Sequence, residues 1–174
     1  MRRIVLYFGS FNPIHYGHLG LAEYVLRRDD VDEVWFVLSP HNPLKSSSEL
    51  WPEQKRLRLV EEAIKGREGM RACDAEFSMP KPNYTINTLR MLAEHHMDCE
   101  FSMLMGEDNY KIFDRWRDWE EILRRWRIFV YPRRGGEVSD RSRFPQMVWL
   151  DDAPLYDISS TEIRKKITLT RWRN

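Results

Sequence analysis

IVLYFGSFNPIHYGHLGLAEYVL, residues 4–26, decides the architecture. Ile4 to Phe8 is a continuous apolar, β-favouring run that stops at Gly9, the pattern of a strand covered on both faces. From Gly17 to Arg28 the residues Leu19, Ala22, Val25 and Leu26 recur at helical spacing. A covered strand that passes through a short turn into an amphipathic helix opens a βαβ unit, and such units build parallel sheets.

The alternation continues outward from there. Val34–Leu38 reads as a second buried strand, and Pro40 to Ser48, with its prolines and consecutive serines, as a loop. Pro52 is placed as the first residue of a helix carrying Leu57, Val60, Ala63 and Ile64 on one face. Met70–Cys73, Glu100–Met105, Arg127–Tyr131 and Met147–Leu150 read as strands. Thr85–His96, Trp119–Arg125 and a segment from Ser159 to Ile167 read as helices. The expected fold is α/β: a Rossmann-like doubly wound parallel sheet in three α/β/α layers, one domain over residues 1–174. Ligands of such sheets lie beyond the carboxyl ends of the strands, which singles out the loops after Phe8, Leu38, Met105 and Tyr131.

Composition narrows the partners. A chain of 174 residues with 42% hydrophobic and 13% aromatic residues can bury a core. Its net charge of +1 carries no global field toward nucleic acid or an acidic membrane, so an anion site has to be built from a few placed groups. Cys73 and Cys99 have neither metal nor redox spacing and read as reduced thiols of a cytoplasmic protein. The apolar run in MRRIVLYF is too short for a secretion signal or a membrane span.

His15 and His18, three residues apart, share one face of a helix. They suit a metal, a helix cap or a phosphate. A metal needs a third ligand, and His41, His95 and His96 match no zinc spacing, so no metal ligand is assigned. An isolated pair would suit packing or capping. The setting here is a strand, a Gly-Ser-x-Asn-Pro turn and a helix start, where free N–H groups and the positive end of the helix dipole meet an anion. Gly9 permits close approach of a ligand, Asn12 and Pro13 close the turn, and Gly17 removes bulk. The fingerprints G-x-G-x-x-G and G-K-[ST] are absent.

Near the other end, Ile158-Ser-Ser-Thr-Glu-Ile-Arg164 supplies a second anion element. Ser159-x-x-Glu162 is a capping box, which puts Ser160 and Thr161 in the first turn and lets Arg164 grip a phosphate as a fork.

FGSFNPIHYGH resembles the H-x-G-H signature of the nucleotidyltransferase superfamily, and ISSTEIR resembles the element with which those enzymes hold a triphosphate. Pro82-Asn-Tyr-Thr85 with Thr88-Leu89, and Phe113-Asp-Arg-Trp116 with Trp119, are similar to segments of the bacterial nicotinate-nucleotide adenylyltransferases. The resemblance implies transfer of AMP from ATP to nicotinate mononucleotide, with Mg²⁺ carried mainly by ATP. It implies catalytic roles for His15, His18, Lys45 and Arg164. ATP would meet Gly9, Ser10, Phe11, Gly106, Asp108, Arg133, Ser159, Ser160 and Thr161. Trp116 would stack on the pyridine ring, with Tyr84 and Thr85 at its carboxylate.

Departures exist. Phe8, Ser10 and Asn12 stand where many members have Gly, Thr and Asp, and Arg134 replaces a Pro. Relatives continue past the final helix, while here the segment after about residue 167 is short. Three alternatives stay open: nicotinamide mononucleotide as acceptor, phosphopantetheine as acceptor, and a nucleotide-binding regulator without turnover. Homo-oligomer formation and the choice of acid over amide are left open too.

Overall fold

A computed structural model of the chain describes residues 1–40, 49–133, 135, 139–156 and 158–171, the last four by backbone alone. The elements follow in the order β1 (Arg2–Gly9), α1 (Tyr16–Leu26), β2 (Glu33–Leu38), α2 (Glu53–Ile64), β3 (Met70–Cys73), α3 (Thr85–His95) and β4 (Cys99–Gly106). After these come α4 (Glu107–Ile112), α5 (Trp119–Arg125), β5 (Arg127–Tyr131), β6 (Val148–Trp149) and α6 (Ser160–Arg171). The sheet runs β3-β2-β1-β4-β5-β6, and every ladder is parallel. This is a doubly wound parallel sheet, as expected from the sequence, and its order reverses direction between β1 and β4.

β1 lies in the middle because its side chains are apolar on both sides. Ile4 and Leu6 face a layer formed by α3, α4 and α5, where Ile86, Leu89, Tyr110 and Ile122 pack. Val5 and Tyr7 face α1 and α2, against Leu21, Val25, Val60 and Ile64. Alternating residues of one strand thus anchor both helical layers.

Several bounds differ from the sequence reading. Pro52 is the N-cap of α2, at φ −53° and ψ 142°, and the helix begins one residue later. β4 gains Cys99 and Gly106, while β6 shrinks to Val148–Trp149. The helix α4 was not foreseen: with six residues it is too short to show a helical period, and it starts directly where β4 ends. Among the described residues no helix is long and apolar enough to cross a membrane.

Two buried polar side chains fix the turn between β1 and α1. Arg56, fully buried on α2, donates to the carbonyls of Trp51, Ser10 and Ser39, each at 2.8 Å. Asn12, 1% exposed, accepts from the Trp51 N–H at 2.9 Å and donates to the Glu49 carbonyl at 2.8 Å. Phe11 sits in the left-handed region at φ +45° and buries its ring against Tyr7, His18 and Phe36. Packing of that ring offsets a backbone conformation costing about 1–3 kcal/mol.

Candidate active site

A cavity of about 650 Å³ opens at the carboxyl ends of β1, β4 and β5, where the strand order reverses. His15 and His18 form one wall, Gly106 and Asp108 another, and Ser159 to Thr161 a third.

The two histidines hold each other. The His15 Nδ1 accepts from the Gly17 N–H at 3.1 Å, and the His15 backbone N–H donates to His18 Nδ1, also at 3.1 Å. His15 is the N-cap of α1, and the pair makes a reciprocal capping box from two imidazoles. Their rings stack with centroids 3.7 Å apart. Because each Nδ1 is an acceptor, each ring proton sits on Nε2. Burial lowers the pKa of His15, which favours this neutral form. Capping uses the Nδ1 of each ring and so does not conflict with an anion meeting Nε2, the two uses set against one another in the sequence.

Gly17 follows from this arrangement, since a Cβ there would meet the His15 ring at 2.8 Å and Ile158 at 3.1 Å. The bulk it leaves out is that of the capping imidazole.

α6 docks on the same turn. The Ser159 hydroxyl caps the Glu162 N–H at 3.1 Å, and the Ser160 hydroxyl donates to the Pro13 carbonyl at 2.8 Å. Arg164 is not among the residues lining the cavity: it donates to the Asn12 carbonyl at 2.6 Å and to the Thr161 hydroxyl at 3.3 Å. Its side chain is 12% exposed. It therefore joins α6 to the histidine-bearing turn.

On the opposite wall Arg133 donates to both oxygens of Asp108, at 3.0 and 3.1 Å. Both side chains are about two-thirds exposed, so this pair adds little stability and holds its groups at the rim. Glu107 is buried; burial alone would raise its pKa, but hydrogen bonds from the Ser139 hydroxyl and from the N–H groups of Arg133 and Ser139 leave it lowered.

Of the residues singled out in the sequence, His15, His18, Gly106, Asp108, Arg133, Ser159, Ser160 and Thr161 line this cavity. Gly9, Ser10 and Phe11 lie behind it, and Lys45 falls outside the described residues. Tyr84, Thr85 and Trp116 sit apart from it: Tyr84 is the N-cap of α3, Thr85 opens that helix, and Trp116 packs edge-on to Phe113 at 5.4 Å. The Arg117 guanidinium lies 4.0 Å from the Tyr84 ring centre.

Sequence reasoning passed over Arg56, Tyr7 and Tyr131. Arg56 had a signal, because it shares the i, i+4, i+8 stripe of Val60 and Ile64 and so lies on the buried face of α2. The two tyrosines had none, reading only as members of buried strands.

The cavity, its anion-facing helix ends and the doubly wound sheet define a nucleotide-binding α/β domain. The chain belongs to the cytidylyltransferase-like family, whose model matches residues 6–166. Within it the chain falls among the nicotinate-nucleotide adenylyltransferases. It is 46% identical to the "probable nicotinate-nucleotide adenylyltransferase" of Bacteroides fragilis (strain YCH46), over 93% of this chain and 80% of that one. It is 43% identical to the protein of the same name from Flavobacterium psychrophilum, over 95% and 86% respectively. In fold it is similar to the nicotinic acid mononucleotide adenylyltransferase of Plasmodium falciparum complexed with NaAD. That likeness has a TM-score of 0.77 at 21% identity and covers 95% of this chain and 83% of the other.

Proposed function

We propose that the protein is an ATP-dependent adenylyltransferase that joins the AMP moiety of ATP to nicotinate mononucleotide, giving deamido-NAD and pyrophosphate. The observation that carries the reading is the mutual brace of His15 and His18, which holds both imidazoles in the donor form beside the cavity. The names of the similar proteins supply the acceptor.

The reaction needs no general base. The mononucleotide phosphate is ionised at neutral pH, and one of its oxygens attacks the α-phosphorus. The bond from that phosphorus to the bridging oxygen breaks, and pyrophosphate leaves with the electron pair. Catalysis then consists of alignment and of donors placed where charge builds. His18 donates to the α-phosphate and His15 helps hold the chain of phosphates. Lys45 and Arg164 meet the departing pyrophosphate, Arg164 after exchanging its bond to the Asn12 carbonyl for one to phosphate. Ser159, Ser160 and Thr161 face the phosphates, with Gly9, Ser10 and Phe11 forming the turn beneath. Gly106, Asp108 and Arg133 border the ribose and base. Trp116 stacks on the pyridine ring, and Tyr84 and Thr85 meet its carboxylate.

Mg²⁺ carried on the triphosphate would neutralise charge there. Two of the cavity's carboxylates fit that division of labour: Glu107 is taken up by Ser139 and Arg133, and Asp108 by Arg133. We place the reaction in the cytoplasm, a setting in which Cys73 and Cys99 stay as the free thiols seen here.

Pyrophosphate release from Mg·ATP, measured with nicotinate mononucleotide, nicotinamide mononucleotide and phosphopantetheine in parallel, tests the proposal. Release with the first alone supports it. Release with another acceptor moves the substrate, and silence with all three from a folded, ATP-binding protein overturns the enzymatic reading in favour of a regulator.

A further inference from the structure

Tyr7 and Tyr131 come from strands that do not touch, since β4 runs between β1 and β5. In register Tyr7 lies beside Leu104, and Tyr131 beside Gly106 two residues further along. The phenol of Tyr131 reaches across β4 only because Gly106 lacks a side chain: a Cβ there would lie 2.9 Å from both the ring and the hydroxyl oxygen of Tyr131. The crossing brings the two tyrosine rings to 6.4 Å, edge to face. Tyr7 in turn stands edge-on to the His18 ring at 6.0 Å.

Both tyrosines line the nucleotide cavity. Tyr7 is 5% exposed, and Tyr131, half-buried, faces the opening with Asp108 nearby. Burial raises the pKa of both phenols, so neither ionises near neutral pH. The two phenols interact across Gly106. Tyr131, the less buried of the two, is the phenol with room for its hydroxyl to meet a ligand in the cavity. A neutral Tyr131 O–H beside Gly106, in the cavity that His15 and His18 also line, suits a phosphate or ribose oxygen.

We propose that Tyr131 is a catalytic-site residue whose hydroxyl donates to an oxygen of the phosphate–ribose stretch of bound ATP, with Tyr7 as the positioning residue that orients it. Strands β1, β4 and β5 then each contribute to one nucleotide contact, through Tyr7, Gly106 and Tyr131. The inference rests on the proposed adenylyl transfer for its kinetic readout, but not for its binding readout.

Tyr131→Phe and Tyr7→Phe keep the rings and remove one oxygen each. The variants are compared with wild type for affinity toward a non-hydrolysable ATP analogue, by calorimetry, and for kcat/KM of Mg·ATP. Both measurements are made at a temperature where circular dichroism shows every variant folded. Tyr131→Phe is expected to lower analogue affinity or kcat/KM for ATP about ten-fold or more, the scale of a hydrogen bond to a charged group, with KM for the mononucleotide unchanged. Tyr7→Phe is expected to cost less, about three-fold, and to add little on top of Tyr131→Phe. Wild-type values for Tyr131→Phe in both measurements overturn the proposal, and so does a Tyr7→Phe effect that is fully additive. If wild type binds the analogue yet transfers to no mononucleotide, the adenylyltransferase reading fails, and the analogue affinities still decide the role of Tyr131.

Discussion

His15 and His18 are each other's support: the backbone N–H of His15 donates to His18 Nδ1 at 3.1 Å, and the two rings stack at 3.7 Å. The side chain proposed as donor in the reaction therefore also closes the first turn of the helix that carries it. His18→Ala removes both functions. Turnover is expected to fall by about two to three powers of ten, as when one preorganised donor to a developing charge is lost. Steady-state pyrophosphate release with saturating ATP measures it, and a fall of less than ten-fold with ATP binding intact would rule out the proposed role.

His15 has a pKa below its ordinary 6.5 because of burial. The unfolded chain therefore takes up this proton first as pH falls, so His15 contributes stability above the unfolded pKa that is lost on acidification through the folded one. Protonation would also occupy the Nδ1 that caps Gly17. An NMR titration of the His15 ring should have its midpoint on the acid side of 6.5. A midpoint above that value would contradict the neutral, capping tautomer.

Gly17→Ala tests the brace by crowding it. Alanine ordinarily stabilises a helix by about 1 kcal/mol relative to glycine. Here its Cβ would lie 2.8 Å from the His15 ring, so the imidazole has to move. Thermal stability should fail to rise, and kcat/KM should drop about ten-fold or more through the misplaced donor. A variant that is both more stable and fully active would show that the ring position is immaterial.

Arg56→Met exchanges a fully buried guanidinium for an apolar chain of similar length. The Ser10, Ser39 and Trp51 carbonyls lose their donors, and the ends of β1 and β2 lose a shared anchor. A loss of about 3 kcal/mol or more is expected in urea denaturation, because buried acceptors are left unpaired. Activity should fall as well, since the Ser10 carbonyl belongs to the turn that leads to His15.

Glu76, 4% exposed, has its pKa raised to about 7 by burial, with the bond from the Thr88 hydroxyl opposing the shift. Native Glu76 holds its proton where the unfolded chain, at the ordinary 4.5, has released it. Its contribution to stability is complete below the unfolded value, declines as pH rises toward 7, and is level beyond. The span corresponds to roughly 3 kcal/mol. Glu76→Gln, which keeps an acceptor for Thr88, should flatten that slope in denaturation curves taken between pH 5 and 8, on the order of the window named by the two pKa values. An unchanged slope would place the titrating group elsewhere.

How much of this was legible beforehand differs by feature. The strands Met70–Cys73 and Arg127–Tyr131 and the helix Trp119–Arg125 coincide with their sequence patterns, because local period and terminating residues carry that information. The helix Glu107–Ile112 left no pattern, and Arg56 was passed over although it shares the buried stripe of Val60 and Ile64. Arg164 read as a phosphate fork, yet here it reaches the Asn12 carbonyl, a partner more than a hundred residues away that spacing does not reveal.

The sequence by itself determined the covered strands, the Ser159 cap of the last helix and the two motifs at Phe8–His18 and Ile158–Arg164 that border the cavity. Each depends on neighbours within a turn or two of chain, where side-chain type and spacing fix the outcome. Only the tertiary structure decided that His15 and His18 cap the helix through both Nδ1 atoms, that Arg56 binds carbonyls from three segments, and that Tyr131 crosses Gly106 toward Tyr7. Those relationships are set by strand register and by the close packing of layers, which bring together groups whose separation along the chain says nothing of their distance in space.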